Sequence, residues 1–78
     1  MKNNKFEYWN VIQQHYGHGW EDVSHYEANS SGISQEMSDK PSPTGKKETL
    51  LRHDLREYNM TGYATRVIFR KELKAELV

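Results

Sequence analysis

Cysteine is absent from the 78-residue sequence. Without thiols, the chain has no disulfide framework, no cysteine-ligated zinc and no thiol nucleophile. Because an extracellular domain of this size normally needs such cross-links, the sequence favours an intracellular, cytoplasmic protein.

Apolar residues and long apolar runs are also scarce. The hydrophobic fraction is 35% and the mean hydropathy is −1.02. No run approaches the ~20 residues of a membrane-spanning helix, and residues 1–9 are too polar for a signal peptide. We therefore expect one small domain over residues 1–78 with no membrane partner. Its core must depend on aromatic rings, which form 12% of the residues.

The chain has no net charge, with 11 basic and 11 acidic residues. This balance argues against a strongly cationic nucleic-acid-binding protein. The two halves differ, however. Residues 1–39 contain two basic and six acidic residues, whereas residues 40–78 contain nine basic and five acidic ones. These opposite charges either compensate each other within the fold or present two differently charged faces to partners.

Residues 6–16 are predicted to form the first strand. They are rich in aromatic and β-branched side chains, which suit a pleated, half-buried surface. Alternation divides the apolar side chains between two faces: Phe6, Tyr8, Ile12 and Tyr16 on one, Trp9 and Val11 on the other. Apolar groups on both faces indicate a central strand.

The segment Gly17-His18-Gly19 predicts a hairpin connection, since glycine adopts the positive φ that tight turns require. The returning strand should cover residues 20–27, and its many polar residues are typical of an edge strand. Simple alternation gives it two sides: Trp20, Asp22, Ser24 and Tyr26 on one, Glu21, Val23, His25 and Glu27 on the other.

Residues 28–45 have a loop composition, with several serines and glycines, both prolines and little to bury. We expect a long flexible loop here, within which residues 33–37 could form a short turn. Since so long a loop is uncommon in a small domain, it is either a connection without a function or a binding loop.

Residues 45–60 are predicted to form a helix. An apolar stripe recurs there with helical spacing, at Leu51, Leu55 and Tyr58. Thr44 is the expected N-cap, and Gly62 lies where a left-handed residue would end the helix.

Residues 65–71 alternate between a mainly apolar and a mixed face and should form the third strand. The element order is then β-β-α-β. Placing the third strand beside the first gives an α+β fold, with a three-stranded antiparallel sheet in the order 2-1-3 and the helix packed on one face. The pattern leaves open which face packs on the helix. The ends, 1–5 and 73–78, should be frayed.

Several of these residues also follow a known pattern. Residues 16–23 read YGHGWEDV, residues 55–58 read LREY, and residues 66–71 read RVIFRK. The pattern resembles small proteins of bacteria, phages and plasmids that share a YGxGWED turn and a final RxIxR-type strand. The resemblance covers residues 6–27 and 50–71, and the loop between them is longer here. It implies the β-β-α-β order and a bacterial or mobile-element origin, but no activity.

No residue pattern is typical of an enzyme. Glu21 and Asp22 are adjacent on a strand and point to opposite faces, so they make a poor acid–base pair. Three histidines surround the hairpin, His15, His18 and His25, but their spacing matches no zinc signature. We therefore expect no catalytic residues, no metal site and no cofactor.

Aromatic and basic side chains are the best candidates for a binding surface: Trp9, Trp20, Tyr63, Arg66, Arg70 and Lys71. Tryptophan is enriched at interfaces, and one helix cannot cover both faces of a sheet. We therefore expect a small interaction module that binds a protein partner or a second copy of itself through the sheet face. The alternative is single-stranded nucleic-acid binding, for which sheets combine rings with basic side chains.

Overall fold

The computed structural model describes residues 6–73. Its elements are β1 (Phe6–His15), β2 (Trp20–Ala28), α1 (Leu50–Asn59) and β3 (Ala64–Leu73). The strands form one antiparallel sheet in the order β2-β1-β3. The predicted α+β fold and strand order are therefore confirmed. The ends that were predicted to fray lie outside the described residues, except Leu73, which pairs with Phe6.

Strand β1 is the centre of the sheet. It pairs with β3 along its whole length and with β2 from Tyr8 to His15. All five residues from 10 to 14 are buried, and Val11 and Ile12, which point to opposite faces, are 1% and 0% exposed. The apolar side chains on both faces of β1 thus reflect the central position of this strand in the sheet, as predicted.

The hairpin between β1 and β2 contains a β-bulge. Ile12 pairs with Ser24 and Gln13 pairs with Asp22, which leaves Val23 as the extra residue of β2. Before the bulge, Trp20 and Asp22 therefore share a face with His25 and Glu27. The predicted alternation, which put Trp20 and Asp22 with Ser24 and Tyr26, is wrong because one inserted residue reverses the order of the faces.

The register defines two faces, which we name by their rings. The tyrosine face carries Tyr8, Asn10, Ile12 and Gln14 of β1, with Ser24 and Tyr26 of β2 and Thr65, Val67, Phe69 and Lys71 of β3. The tryptophan face carries Glu7, Trp9, Val11, Gln13 and His15 of β1, with Trp20, Asp22, His25 and Glu27 of β2 and Ala64, Arg66, Ile68, Arg70 and Glu72 of β3.

Helix α1 begins five residues later than the pattern predicted. Thr49 is the N-cap: it has extended backbone angles, and its hydroxyl oxygen accepts a hydrogen bond from the Arg52 amide at 3.3 Å. The segment before it cannot be helical, because Met37 and Thr49 form a β-bridge and the Leu50 amide bonds to the Glu36 carbonyl at 2.8 Å. Thr44 as N-cap was therefore wrong.

Three hydrogen bonds of 3.3 Å or less connect α1 to the sheet. The Tyr26 hydroxyl donates to Asp54 at 2.6 Å, and the Gln14 amide nitrogen donates to the Tyr58 carbonyl at 3.0 Å. The Tyr58 hydroxyl donates at 3.3 Å to the carbonyl of Val23, the bulge residue. No residue of α1 is fully buried, and packing of its apolar stripe against the sheet stays a prediction.

The long connection from 29 to 49 folds into turns that are attached to the sheet and to the helix. Ser34 is buried, forms a β-bridge with Ala28 and accepts a hydrogen bond from the Asn10 side chain at 2.8 Å. Near its other end, Glu48 is buried and paired with Arg56. Polar side chains rather than apolar ones therefore hold this segment.

The apolar core is small. Within residues 6–73, the buried hydrophobic side chains are Val11, Ile12 and Tyr26. The Cα radius of gyration is 14.7 Å, whereas a compact chain of this length would have roughly 11.5 Å. The principal extents are 44 × 36 × 19 Å, and so flat a shape leaves much of the sheet near the surface. No helix in the described part of the chain is long and apolar enough to cross a membrane.

Candidate interaction surface

The sheet brings together four of the six predicted binding residues. Trp9, Trp20, Arg66 and Arg70 lie on the tryptophan face. Lys71 lies on the opposite face, opposite Tyr8, and its Nζ is 4.1 Å from the centroid of the Phe6 ring. Tyr63 precedes β3 and packs edge-on against Tyr16, with ring centroids 4.7 Å apart. The six residues therefore do not form a single surface.

Arg66 is held by two groups on the tryptophan face. Its guanidinium carbon lies 4.1 Å from the centroid of the Trp20 ring, a cation–π distance. Its Nε donates to the Gln13 side-chain oxygen at 2.8 Å. The bulge makes this contact possible, because it turns Trp20 toward the face that carries Arg66.

Arg70 forms an ion pair with Asp22 across the sheet. The two guanidinium nitrogens donate to the carboxylate at 2.8 and 3.3 Å, and the Gln13 amide donates to it at 2.7 Å. Arg70 is opposite Trp9 and Asp22 is opposite Gln13, so the pair crosses β1 above Val11. Hydrogen bonds from Arg70 and then Gln13 lower the pKa of Asp22 to about 2, and the same pair raises the pKa of Arg70.

Acidic groups outnumber basic ones on the tryptophan face. Arg66 and Arg70 share it with four carboxylates, those of Glu7, Asp22, Glu27 and Glu72. Trp9 and His25 pack edge-on with ring centroids 5.2 Å apart and line a shallow cavity of about 210 Å³. The described residues therefore make this face aromatic and acidic rather than basic.

The outer strand β3 carries an exposed apolar surface on the tyrosine face. Val67, Phe69 and Leu73 are 38%, 48% and 71% exposed, and Phe6, which pairs with Leu73, is 37% exposed. We call these four residues the β3 apolar surface. The Phe69 ring stacks on Tyr8 with centroids 5.8 Å apart, so the exposed rings are held in place by neighbours.

The sequence pattern assigned Val67 and Phe69 to a mainly apolar face but did not indicate that they would remain exposed. The predicted strand order did indicate an exposed strand, because β3 in a 2-1-3 sheet has a neighbour on one edge only. Within residues 6–73, β3 pairs with β1 alone. Its outer backbone edge is therefore unpaired over ten residues.

A partly buried polar cluster lies where α1 meets the sheet. Asp54 accepts from Tyr26 at 2.6 Å and contacts His53 Nδ1 at 2.9 Å. Burial, and then the Asp54 hydrogen bond, raise the pKa of Tyr26. Burial acts to raise the pKa of Asp54, but the bonds from Tyr26 and His53 outweigh it and the pKa is lowered. A phenol kept protonated and 4% exposed is a structural connection rather than a base.

The described residues contain no group of three His, Asp or Glu side chains placed to hold a metal ion. His15 packs edge-on against Trp20 with ring centroids 5.3 Å apart, while His25 contacts Trp9. Comparison of the chain with protein-family models, curated proteins and solved structures gave no match. The resemblance to small bacterial, phage and plasmid proteins stays a prediction, and the functional argument depends on the geometry of the sheet.

Proposed function

We propose that this protein is a cytoplasmic, non-enzymatic interaction module that binds through β3, and that its partner is a second copy of the same chain. The observation that carries the proposal is the unpaired outer edge of β3 together with its exposed apolar side chains, Val67, Phe69 and Leu73. An exposed strand edge is a template for another strand, and addition of a strand to a sheet is a common mode of recognition.

The small core supports the need for a partner. Burial of apolar surface contributes about 25 cal/mol per Å², and an aromatic side chain buries ~150–250 Å². Phe69, half exposed in the isolated chain, would be covered if a second sheet continued the first one. Association would therefore supply apolar burial that the three buried hydrophobic residues of the core supply only in part.

The side chains of β3 favour one antiparallel register for two copies. A two-fold axis normal to the sheet leaves the tryptophan faces of both copies on one side and the tyrosine faces on the other. One residue of β3 then lies at the axis, opposite the same residue of the second copy. With Phe69 at the centre, the two Phe69 rings meet and Arg66 of each copy is opposite Glu72 of the other. A centre at Ile68 would instead oppose Arg66 and Arg70, and like charges directly opposite each other destabilise a sheet.

Arg66 can take part in this pairing without leaving its own site. It uses Nε for the hydrogen bond to Gln13, which leaves its two terminal nitrogens for a carboxylate of the second copy. Glu72 carries no ion pair within residues 6–73. The pairing would thus join an unpaired carboxylate to a guanidinium with free donors.

Light scattering coupled to size-exclusion chromatography tests the proposal. The chain has a mass of 9.2 kDa, and we expect the dimer mass to appear as the protein concentration rises. Phe69→Glu should remain a monomer, because it places two carboxylates at the centre of the interface. Met60→Glu is the matched control, since Met60 is 74% exposed and lies beyond the helix rather than on β3.

A wild-type protein that stays monomeric at the highest concentration would contradict self-association. In that case, a partner captured by the wild type and by Met60→Glu, but not by Phe69→Glu, would keep β3 as a surface for a different protein. If the wild type neither dimerised nor captured a partner in this way, the proposal that β3 is a binding surface would be wrong.

Charge on the tryptophan face favours a protein partner over a single-stranded nucleic acid. Among residues 6–73, Arg66 and Arg70 are the lysine or arginine side chains of this face, and both already bind side chains of the sheet. Four carboxylates beside them would repel a phosphate backbone. Amide shifts at Arg66 and Arg70 with an oligonucleotide at low salt, absent from an Arg66→Ala, Arg70→Ala variant, would support nucleic-acid binding instead.

A further inference from the structure

A second concave surface lies away from β3, between the turn at 42–45 and the first turns of α1. Its volume is about 550 Å³, within the range of small-molecule sites. Met37 and Pro43 supply apolar surface, and the other eight lining residues are polar or charged: Ser42, Thr44, Lys46, Lys47, Glu48, Thr49, Arg52 and Arg56. We call it the basic concavity.

The one carboxylate in the lining is already neutralised. Glu48 accepts two hydrogen bonds from the Arg56 guanidinium, at 2.9 and 2.5 Å. This bond lowers the pKa of Glu48 and raises that of Arg56, so both groups stay charged and paired. Within residues 6–73, no carboxylate lies within 4.0 Å of the charged groups of Lys46, Lys47 or Arg52. The concavity therefore has an excess of positive charge.

Backbone hydrogen bonds fix the elements that carry these cations. The Gly45 amide bonds to the Ser42 carbonyl, and the Ser42 amide bonds to the Lys46 carbonyl, both at 2.8 Å. The Ser42 and Thr44 hydroxyl oxygens lie 2.9 Å apart. On the other side, the Ser38 amide bonds to the Glu48 carbonyl at 3.0 Å. Hydroxyl donors and cations are thus held around one space.

We infer that the basic concavity binds linked phosphate groups, such as those of a pyrophosphate or triphosphate moiety. Guanidinium, ammonium and hydroxyl donors are the groups that recognise phosphate oxygens. Three cations without a carboxylate partner suit a multivalent anion better than a single monoanion. The lining contains no aromatic ring, so it offers no platform for a base and recognises the phosphates themselves.

Amide NMR spectra of the full chain, recorded while sodium pyrophosphate is added at constant ionic strength, test this inference. We expect saturable shifts confined to residues 42–56. Lys47→Gln combined with Arg52→Gln should weaken binding, by about tenfold for each lost charged hydrogen bond. Both residues are exposed, so the variant should keep the wild-type spectrum elsewhere.

The matched control is Lys71→Gln, compared with Lys47→Gln alone, because both remove one charge, the first on the sheet and the second in the concavity. It should change the affinity by no more than about twofold, because exposed charges at a distance are screened by salt. Equal weakening in the control, or equal shifts with sodium sulfate, would overturn the inference and show attraction to net charge only. A thymidine oligonucleotide that binds more tightly than pyrophosphate, through Lys47 and Arg52, would overturn the small-ligand assignment in favour of a nucleic-acid backbone.

Discussion

Asp22 and Arg70 are 48 positions apart in the sequence and form an ion pair on the tryptophan face. The pair lies beside Val11, which is 1% exposed, whereas hydrogen bonds from α1 reach Gln14 and Tyr26 on the opposite, tyrosine face. The stems of long charged side chains can cover apolar surface while their heads stay in water. At the scale of single residues, the tryptophan face is thus closed by side chains of the sheet itself.

The Asp22 carboxyl should titrate at about pH 2, below its ordinary pKa of 3.8. Because the folded-state pKa is lowered, the contribution of this group to stability is complete above about pH 4 and is lost as the pH falls towards 2. In Arg70→Gln, the largest cause of the shift is removed, and the pKa of Asp22 should rise towards its ordinary value. Carbon-13 NMR of the carboxyl groups measures both values.

Lys71→Gln is the control for this titration. It removes the same charge as Arg70→Gln, but from the tyrosine face. It should leave the pKa of Asp22 unchanged. If both variants raised this pKa equally, the shift would come from net charge rather than from the Arg70 hydrogen bonds.

At the scale of elements, helix α1 shows how a non-local contact sets a boundary. Two threonines stand before the apolar stripe, and both have the side chain of an N-cap. Thr44 lies next to Gly45, which has a φ of +85° in the turn at 42–45, whereas Thr49 is held in extended conformation by its β-bridge to Met37. The bridge therefore decides which threonine begins the helix.

Replacing the N-cap should destabilise the protein in a position-specific way. We expect Thr49→Ala to lower the free energy of unfolding by about 0.5–2 kcal/mol, because the Arg52 amide loses its acceptor. Thr44→Ala should change it by less than about 0.5 kcal/mol, as exposed substitutions usually do. Urea unfolding followed by circular dichroism gives both values, and a larger loss at Thr44 would place the cap where the sequence pattern predicted it.

Each end of the three strands was predicted to within two residues, because period-two alternation and the two glycines of the turn are local signals. Gly17 and Gly19 have φ values of +99° and +122°, as a hairpin connection of this kind requires. The bulge was not predictable in this way. Val23 is a β-branched residue of the kind common in regular strands. Its carbonyl accepts a hydrogen bond from Tyr58, which is 35 positions away in the sequence.

Part of the candidate site was also predictable. Trp9, Trp20, Arg66 and Arg70 were identified by residue type, and the sheet places them on one face. The contacts of Arg66 with Gln13 and of Arg70 with Asp22 were not predictable. They depend on the bulge, which moves Trp20 and Asp22 to that face. Phe69 and Leu73 were missed as surface residues, since alternation tells which side chains share a face but not whether anything covers it.

At the scale of the whole molecule, the sheet has two edges with different properties. Edge β2 contains a bulge, carries several charges and forms a further bridge from Ala28 to Ser34. Edge β3 is regular over ten residues and has the β3 apolar surface beside it. Bulges and charges discourage pairing of an edge with another strand, so the molecule should associate through β3 rather than β2.

Hydrogen exchange at low and high protein concentration should report this difference. We expect the outward amides of β3 to exchange more slowly at high concentration, whereas those of β2 stay unchanged and serve as the internal control. Phe69→Glu should abolish the concentration dependence. Protection that appeared on β2, or equally on both edges, would argue against association through β3.

The sequence by itself determined the order of the elements, the central position of β1 and the glycine turn, because each depends on periodicity or backbone freedom within a few neighbouring residues. Only the tertiary structure decided which face Trp20 and Asp22 occupy, which threonine begins α1, and which apolar side chains remain exposed. These outcomes depend on contacts between residues far apart in the chain, whose energies no local pattern contains. The surfaces proposed to bind a second copy and linked phosphates belong to this second group.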